Sequence, residues 1–117
     1  MGKYTIDSMY LCVRDMNRAI AFYERFLEME VAERDSVYSV FDVNGFRLGL
    51  FAFERMNESH AFGDNCLPSV RVENIGELRR KLAGRKTVFP VTRIGGNWVA
   101  ELEDSEGNRI ELTAPVG

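Results

Sequence analysis

Along residues 6–13, IDSMYLCV, apolar and polar side chains alternate with the period of two that a half-buried strand requires. Met9, Leu11 and Val13 fall on one face, and Ser8, Tyr10 and Cys12 on the other. Asp15 follows at an N-cap position, because its carboxylate can accept from a first-turn N–H. Met16, Ala19, Ile20, Tyr23, Phe26 and Leu27 then recur at helical spacing, the stripe of an amphipathic helix. Strand-like runs come next: EVAER, VYSVFDV and FRLGLFAFE. Asn44-Gly45 between the last two is a hairpin signal, since both residues tolerate the positive φ of a type I′ turn. The first half therefore reads β-α-β-β-β.

The second half repeats that order. LPSVRV is a strand with Val70 and Val72 on one face. Asn74 with Glu77 forms a capping-box pattern, Asn replacing the usual Ser or Thr. Ile75, Leu78 and Leu82 make the helix stripe, and Gly84 suits the C′ position. TVFPVTRI, WVAELE and RIELTA supply three more strands, and Pro90 makes the first of these an edge strand or a bulged one. SMYLCVRDM aligns with LPSVRVENI, and NGFRLGL with EGNRIEL. The expected organisation is one domain, 1–117, with a module at about 4–54, a linker at about 55–66 and a second module at about 67–115.

Composition narrows the picture only slightly. In 117 residues, 45% are hydrophobic and 28% charged, enough to form one core without staples. The net charge of −3 gives no electrostatic case for nucleic acid or an anionic membrane. No long apolar run occurs, and MGKYTIDS is mixed and polar. Cys12 and Cys66 form no metal or redox motif and read as reduced thiols. The expectation is a soluble cytoplasmic protein.

Two βαβββ units, with DMNRAIAFYERFLEMEV early and LEDSEGNRIEL late, resemble the vicinal oxygen chelate superfamily. This group includes glyoxalase I, extradiol dioxygenases, fosfomycin-resistance enzymes and bleomycin-resistance proteins. The resemblance covers the whole chain. It implies an α+β fold of two βαβββ modules whose mixed sheets curl around a cavity, often in a homodimer. It also implies a Gly after the first helix, where this chain has Glu28. If Glu28 adopts the left-handed conformation, its side chain costs roughly 1 kcal/mol.

Metal-dependent members of the superfamily hold their ion at pseudo-equivalent positions on the first and last strands of each module. By the internal repeat these positions are Ser8, Gly49, Leu67 and Glu111. Only Glu111 is a competent ligand, whereas a catalytic site wants about three. The expectation is therefore no metal cofactor. Glu111 then serves as a cavity carboxylate or as an ordinary hydrogen-bonded strand residue. His60, the one histidine, lies near Glu58, Asp64 and Cys66. It reads as a relocated ligand, a lid residue or a solvated loop histidine.

Strand parity assigns the concave face. Ser8 and Tyr10 belong to it, with Phe51 and Phe53 on the strand that carries Gly49. Ser69 and Arg71 follow in the second module beside Glu111, while the parity of Trp98 is ambiguous. Arg71 can neutralise Glu111, and the phenylalanines can equally be core or interface residues. Aromatic walls with sparse polar groups suit a small planar or cationic ligand. Two functions lead, ahead of a structural or regulatory dimer whose cavity is filled by side chains. One is a metal-free protein that sequesters such a ligand. The other is a lyase, isomerase or dioxygenase that uses a divalent metal on Glu111. No Ser-His-Asp or Cys-His pattern, phosphate-binding Gly loop or basic stripe is present.

Overall fold

The computed structural model describes residues 2–4, 6–62 and 67–117. The chain divides into two compact units, residues 1–61 and 62–117. In the first, β1 (Ser8–Cys12) leads into α1 (Met16–Leu27), and β2 (Tyr38–Val43) and β3 (Phe46–Phe51) follow. The sheet order is β1-β3-β2, with β1 parallel and β2 antiparallel to β3.

Asp15 caps α1 as expected, its Oδ1 accepting from the Arg18 N–H at 3.0 Å. The helix buries Met16, Ala19, Ile20, Tyr23 and Phe26. On the sheet, Phe41, Leu48 and Leu50 are buried, and the Tyr23 and Phe41 rings lie 6.2 Å apart. Each large side chain removed from water in this way contributes roughly 1.5–3 kcal/mol. Met9 shares that parity but remains 37% exposed, because β1 is an edge strand. The helix stops at Glu28, whose φ of 55° and ψ of 48° are left-handed. Its N–H donates to the Glu24 carbonyl. Asn44 and Gly45 have φ of 51° and 93°, and Val43 pairs with Phe46 across the hairpin.

Two expectations for this module need correction. EVAER does not form a strand; it makes one bridge, Glu33 to Val40. The N–H groups of Ala32 and Glu33 both donate to the Val40 carbonyl, so the ladder cannot advance. Asp35 then turns the chain by accepting from the N–H groups of Val37 and Tyr38 at 2.9 and 3.2 Å. Among the described residues the module thus has three strands rather than four. Phe53 is not on β3 either. The strand ends at Phe51, and Phe53–Met56 is a 3-10 turn closed by Asn57 at φ 56°.

The second unit holds β4 (Ser69–Arg71), α2 (Ile75–Leu82), β5 (Thr87–Ile94), β6 (Asn97–Glu103) and β7 (Arg109–Pro115). The sheet order is β4-β7-β6-β5, with β4 and β7 parallel and the other pairs antiparallel. Asn74 caps α2 by accepting from the Glu77 N–H at 2.9 Å, and Gly84 follows the helix at φ 74°. Pro90 accounts for two features of β5. The strand lies at the sheet edge, and its register shifts on both sides of Phe89. Leu78, Ala100, Leu102, Ile110, Leu112 and Ala114 form the buried layer.

The register supports the internal repeat. Tyr10 pairs with Gly49 on the parallel β1–β3 ladder, and Ser69 pairs with Glu111 on β4–β7. The sequence alignment equates these same positions. Gly45 and Gly107 also match, at φ 93° and 92°. Each module is therefore an open mixed sheet with one face covered by its helix. Among the described residues, no helix is long and apolar enough to cross a membrane.

Candidate functional site

The uncovered face of the β1-β3-β2 sheet is aromatic. Tyr10 projects from β1, Phe51 from β3 and Tyr38 from β2, where Tyr38 is directly opposite Phe51. The Tyr10 ring meets Phe51 edge-on at 5.4 Å and Tyr38 at 6.0 Å, with Tyr38 and Phe51 at 6.2 Å. Such pairs are each worth about 0.5–1.5 kcal/mol beyond burial. Tyr10 is still 48% exposed.

Gly49 explains the position of Tyr38. A Cβ built on Gly49 would overlap the hydroxyl end of the Tyr38 ring. The absent side chain therefore makes the space in which the ring lies. Burial raises the Tyr38 phenol above its ordinary value, with Tyr10 adding to the shift and Arg47 opposing it. The hydroxyl accordingly stays neutral at physiological pH. Arg47, also on this face, donates to Glu33 Oε2 at 2.7 Å, which raises its already high value further.

His60 borders the cluster. Its ring lies edge-on to Phe53 at 5.4 Å and to Phe51 at 6.2 Å, and its Nε2 is 2.8 Å from Glu58 Oε1. Asp64 and Cys66, the other residues considered with it, lie outside the described residues. Phe53 itself is buried beneath this edge, with the Arg14 guanidinium over its ring. Cys12 shares the sheet face, but burial and then Glu58 raise its pKa. Its thiol stays protonated and is a weak nucleophile. Ser8 is exposed at the start of β1, two rows from Gly49.

The uncovered face of the second sheet is polar. Ser69, Glu111 and Glu101 lie in one row across β4, β7 and β6. Ser69 Oγ donates to Glu111 Oε1 at 2.5 Å, and Arg109 Nη1 is 3.8 Å from Glu101 Oε1. Arg71 does not pair with Glu111. It occupies the next row and donates to Asn97 Oδ1 at 3.1 Å. Trp98 pairs with Ala114, which places it on the helix-covered side with Ala100 and Leu102, away from Glu111. Leu67 is half-buried just before β4.

The structure thus brings Tyr10 and Phe51 together in the first module and Ser69 with Glu111 in the second. Tyr38 was missed in the sequence. Its signal was present, because Asn44-Gly45 fixes Val43 opposite Phe46, and counting back from there puts Tyr38 opposite Phe51. Glu101 follows from the same counting across the β6–β7 hairpin.

The superfamily's metal positions do not fit a divalent catalytic ion. Gly49 offers no donor and lies under the Tyr38 ring. Leu67 is apolar, and Ser8 is a weak ligand. Glu111 is bonded to Ser69 and sits across from a second carboxylate. Among the described residues, no three His, Cys, Asp or Glu side chains are grouped to hold a metal ion. A catalytic site of about three protein ligands cannot be assembled from this set.

A two-module α+β chain with these sheet orders defines a class, and comparison with known proteins identifies it. The sequence model of the Glyoxalase/Bleomycin resistance protein/Dioxygenase superfamily matches residues 5–112, and the chain belongs to that superfamily. No protein of curated function matches it. Similar solved structures include a glyoxalase-related enzyme from Fulvimarina pelagi, with 16% identity and a TM-score of 0.79 over 97% of this chain and 92% of that one. A glyoxalase/bleomycin resistance protein/dioxygenase family enzyme from Burkholderia phytofirmans is 19% identical, with a TM-score of 0.77 over 94% and 98%. Lactoylglutathione lyase from Agrobacterium tumefaciens is 17% identical, with a TM-score of 0.73 over 94% and 92%. These likenesses show the fold.

Proposed function

We propose that this protein is a metal-free, small-molecule-binding member of its superfamily. It sequesters a planar aromatic or cationic compound and does not turn it over. The observation that carries this reading is the Tyr10–Tyr38–Phe51 cluster on an uncovered sheet face, with the Tyr38 ring lying over Gly49. Ring faces attract flat and cationic groups, and the cluster occupies the place where a metal-dependent relative would present a ligand. The working assembly is a homodimer in the cytoplasm, where cysteines such as Cys12 stay reduced.

A screen of planar aromatic and cationic compounds by thermal shift, followed by calorimetry, tests this. Removing one stacking ring in Tyr10→Ala or Phe51→Ala weakens the best ligand by about tenfold. Glu111→Ala reports separately on the second module. Unchanged affinity in all three variants would mean that the binding face has been misplaced.

The retained Glu111, bonded to Ser69, favours one alternative: a lyase, isomerase or dioxygenase whose metal uses this carboxylate. Such an enzyme requires ligands beyond the superfamily positions. Metal analysis decides between the two readings.

A further inference from the structure

We infer that the Glu58–His60 pair decides which ligand charge the aromatic face accepts, and that protonation of His60 changes that preference. The inference rests on the binding role proposed for the Tyr10–Tyr38–Phe51 cluster and adds a determinant of specificity to it. The His60 ring stands edge-on to Phe51 at 6.2 Å and to Phe53 at 5.4 Å. Phe51 belongs to both groups, since the Tyr10 ring meets it at 5.4 Å. The imidazole is therefore within a Debye length, about 8 Å at physiological ionic strength, of a ring in the binding cluster.

His60 Nε2 lies 2.8 Å from Glu58 Oε1. An imidazole donates an N–H to a carboxylate in its neutral and its protonated form alike. In the neutral form the Nε2 proton makes this bond, and the added proton goes to Nδ1. Protonation thus changes the charge by one while the bond that places the ring is kept. With Glu58 ionised, the pair carries one negative charge when the imidazole is neutral and none when it is protonated. The His60 side chain is 34% exposed, so its proton exchanges with water.

Among the described residues, the other charges around the pair stay fixed across the imidazole range of about pH 5–8. Arg14 follows β1, over the Phe53 ring at 5.9 Å and 3.9 Å from Glu54. Arg55 shares the 3-10 turn with Phe53 and Glu54. Cys12 comes from β1, and burial and then Glu58 keep its thiol protonated. From β3 the neighbour is the uncharged Phe51. His60 is the one histidine of the chain.

Above the imidazole range the uncompensated Glu58 charge adds to the attraction of the rings for a cation. Below it the imidazolium cancels that charge, and a cation gains only the rings. A neutral planar ligand is indifferent to the change. The face therefore favours a cation at neutral and alkaline pH and loses that preference on acidification.

The test is a calorimetric titration with benzyltrimethylammonium and, separately, benzyl alcohol, at about pH 8 and about pH 5.5 and constant ionic strength. Acidification should weaken the cation by about three- to tenfold and the alcohol by less than about twofold. In His60→Gln the ratio of cation affinities at the two pH values should fall to about one, because Glu58 stays charged at both. A merely structural role for His60 would change both affinities in proportion. Glu58→Gln should weaken the cation at about pH 8 to the level that wild type shows at about pH 5.5. Both side chains are partly exposed, so the variants keep the fold. A cation affinity that is the same at both pH values, or a pH dependence that persists in His60→Gln, overturns the role of the pair and leaves the aromatic site standing. An equal pH effect on benzyl alcohol overturns the charge argument. Absence of binding by either probe at both pH values overturns the aromatic site and this inference with it.

Discussion

Gly49→Ala tests the packing on which the aromatic face depends. The new Cβ would overlap the far end of the Tyr38 ring. The ring can rotate away, since Tyr38 is already 36% exposed, so the cost is lost contact rather than an immovable clash. Rotation gives up the ring contacts with Tyr10 at 6.0 Å and Phe51 at 6.2 Å. At about 0.5–1.5 kcal/mol each, these amount to about 1–3 kcal/mol. Against this, replacing Gly with Ala restricts the unfolded chain and returns about 0.4–1 kcal/mol. The net expectation is a loss of about 1–2 kcal/mol, which lowers the urea midpoint by roughly 1 M. In a Tyr38→Ala background the overlap is gone, and the same substitution should be neutral or stabilising by up to about 1 kcal/mol. The assay is a double-mutant cycle by urea unfolding, with a coupling above about 1 kcal/mol expected. Equal effects of Gly49→Ala in the two backgrounds would refute the argument that Gly49 exists to admit the Tyr38 ring.

Three further outcomes follow from single residues. Glu28 ends α1 in the left-handed region, so Glu28→Gly should raise stability by about 0.5–1 kcal/mol in the same assay, strain relief exceeding the glycine entropy. Asp104 is buried and accepts from the N–H groups of Glu106 and Asn108 at 2.8 Å and from Asn108 Nδ2 at 3.1 Å. Asp104→Ala strands these donors and should cost about 2–3 kcal/mol, with Asp104→Asn intermediate by thermal unfolding. The N–H groups of Val37 and then Tyr38 hold the Asp35 carboxyl below its usual value. A lowered folded pKa stabilises above the unfolded value of about 4, and the effect is lost as pH falls through the folded one. The stability difference between wild type and Asp35→Ala should therefore be constant near neutrality and shrink below about pH 4; a difference independent of pH would contradict the bonding described.

Much of the architecture was legible because two periodicities carry it. The stripe from Met16 to Phe26 and the cap at Asp15 fix α1, and Asn44-Gly45 fixes a register. The repeat extended these assignments to the second module, where Asn74, Gly84 and Pro90 act as their chemistry requires. EVAER failed because a strand needs a continuing partner, and Asp35 offers the backbone a competing turn. Phe53 failed for a related reason: alternation continues past Phe51 in the sequence, but the ladder does not. The site was less legible. Parity places Tyr10, Phe51, Ser69 and Glu111 on the uncovered faces, but it cannot report which side chains meet. Arg71 is long enough for several partners and takes Asn97, while Ser69 takes Glu111. Trp98 required the β6–β7 register, which a three-residue turn between Asp104 and Asn108 determines.

The most direct test of the central claim is the metal content of freshly purified protein, by elemental mass spectrometry, beside Glu111→Gln. A protein whose superfamily positions retain one carboxylate should carry less than about a tenth of a metal per chain, in wild type and variant alike. About one transition metal per chain, lost in Glu111→Gln, would contradict the account and identify Glu111 as a metal ligand of an enzyme.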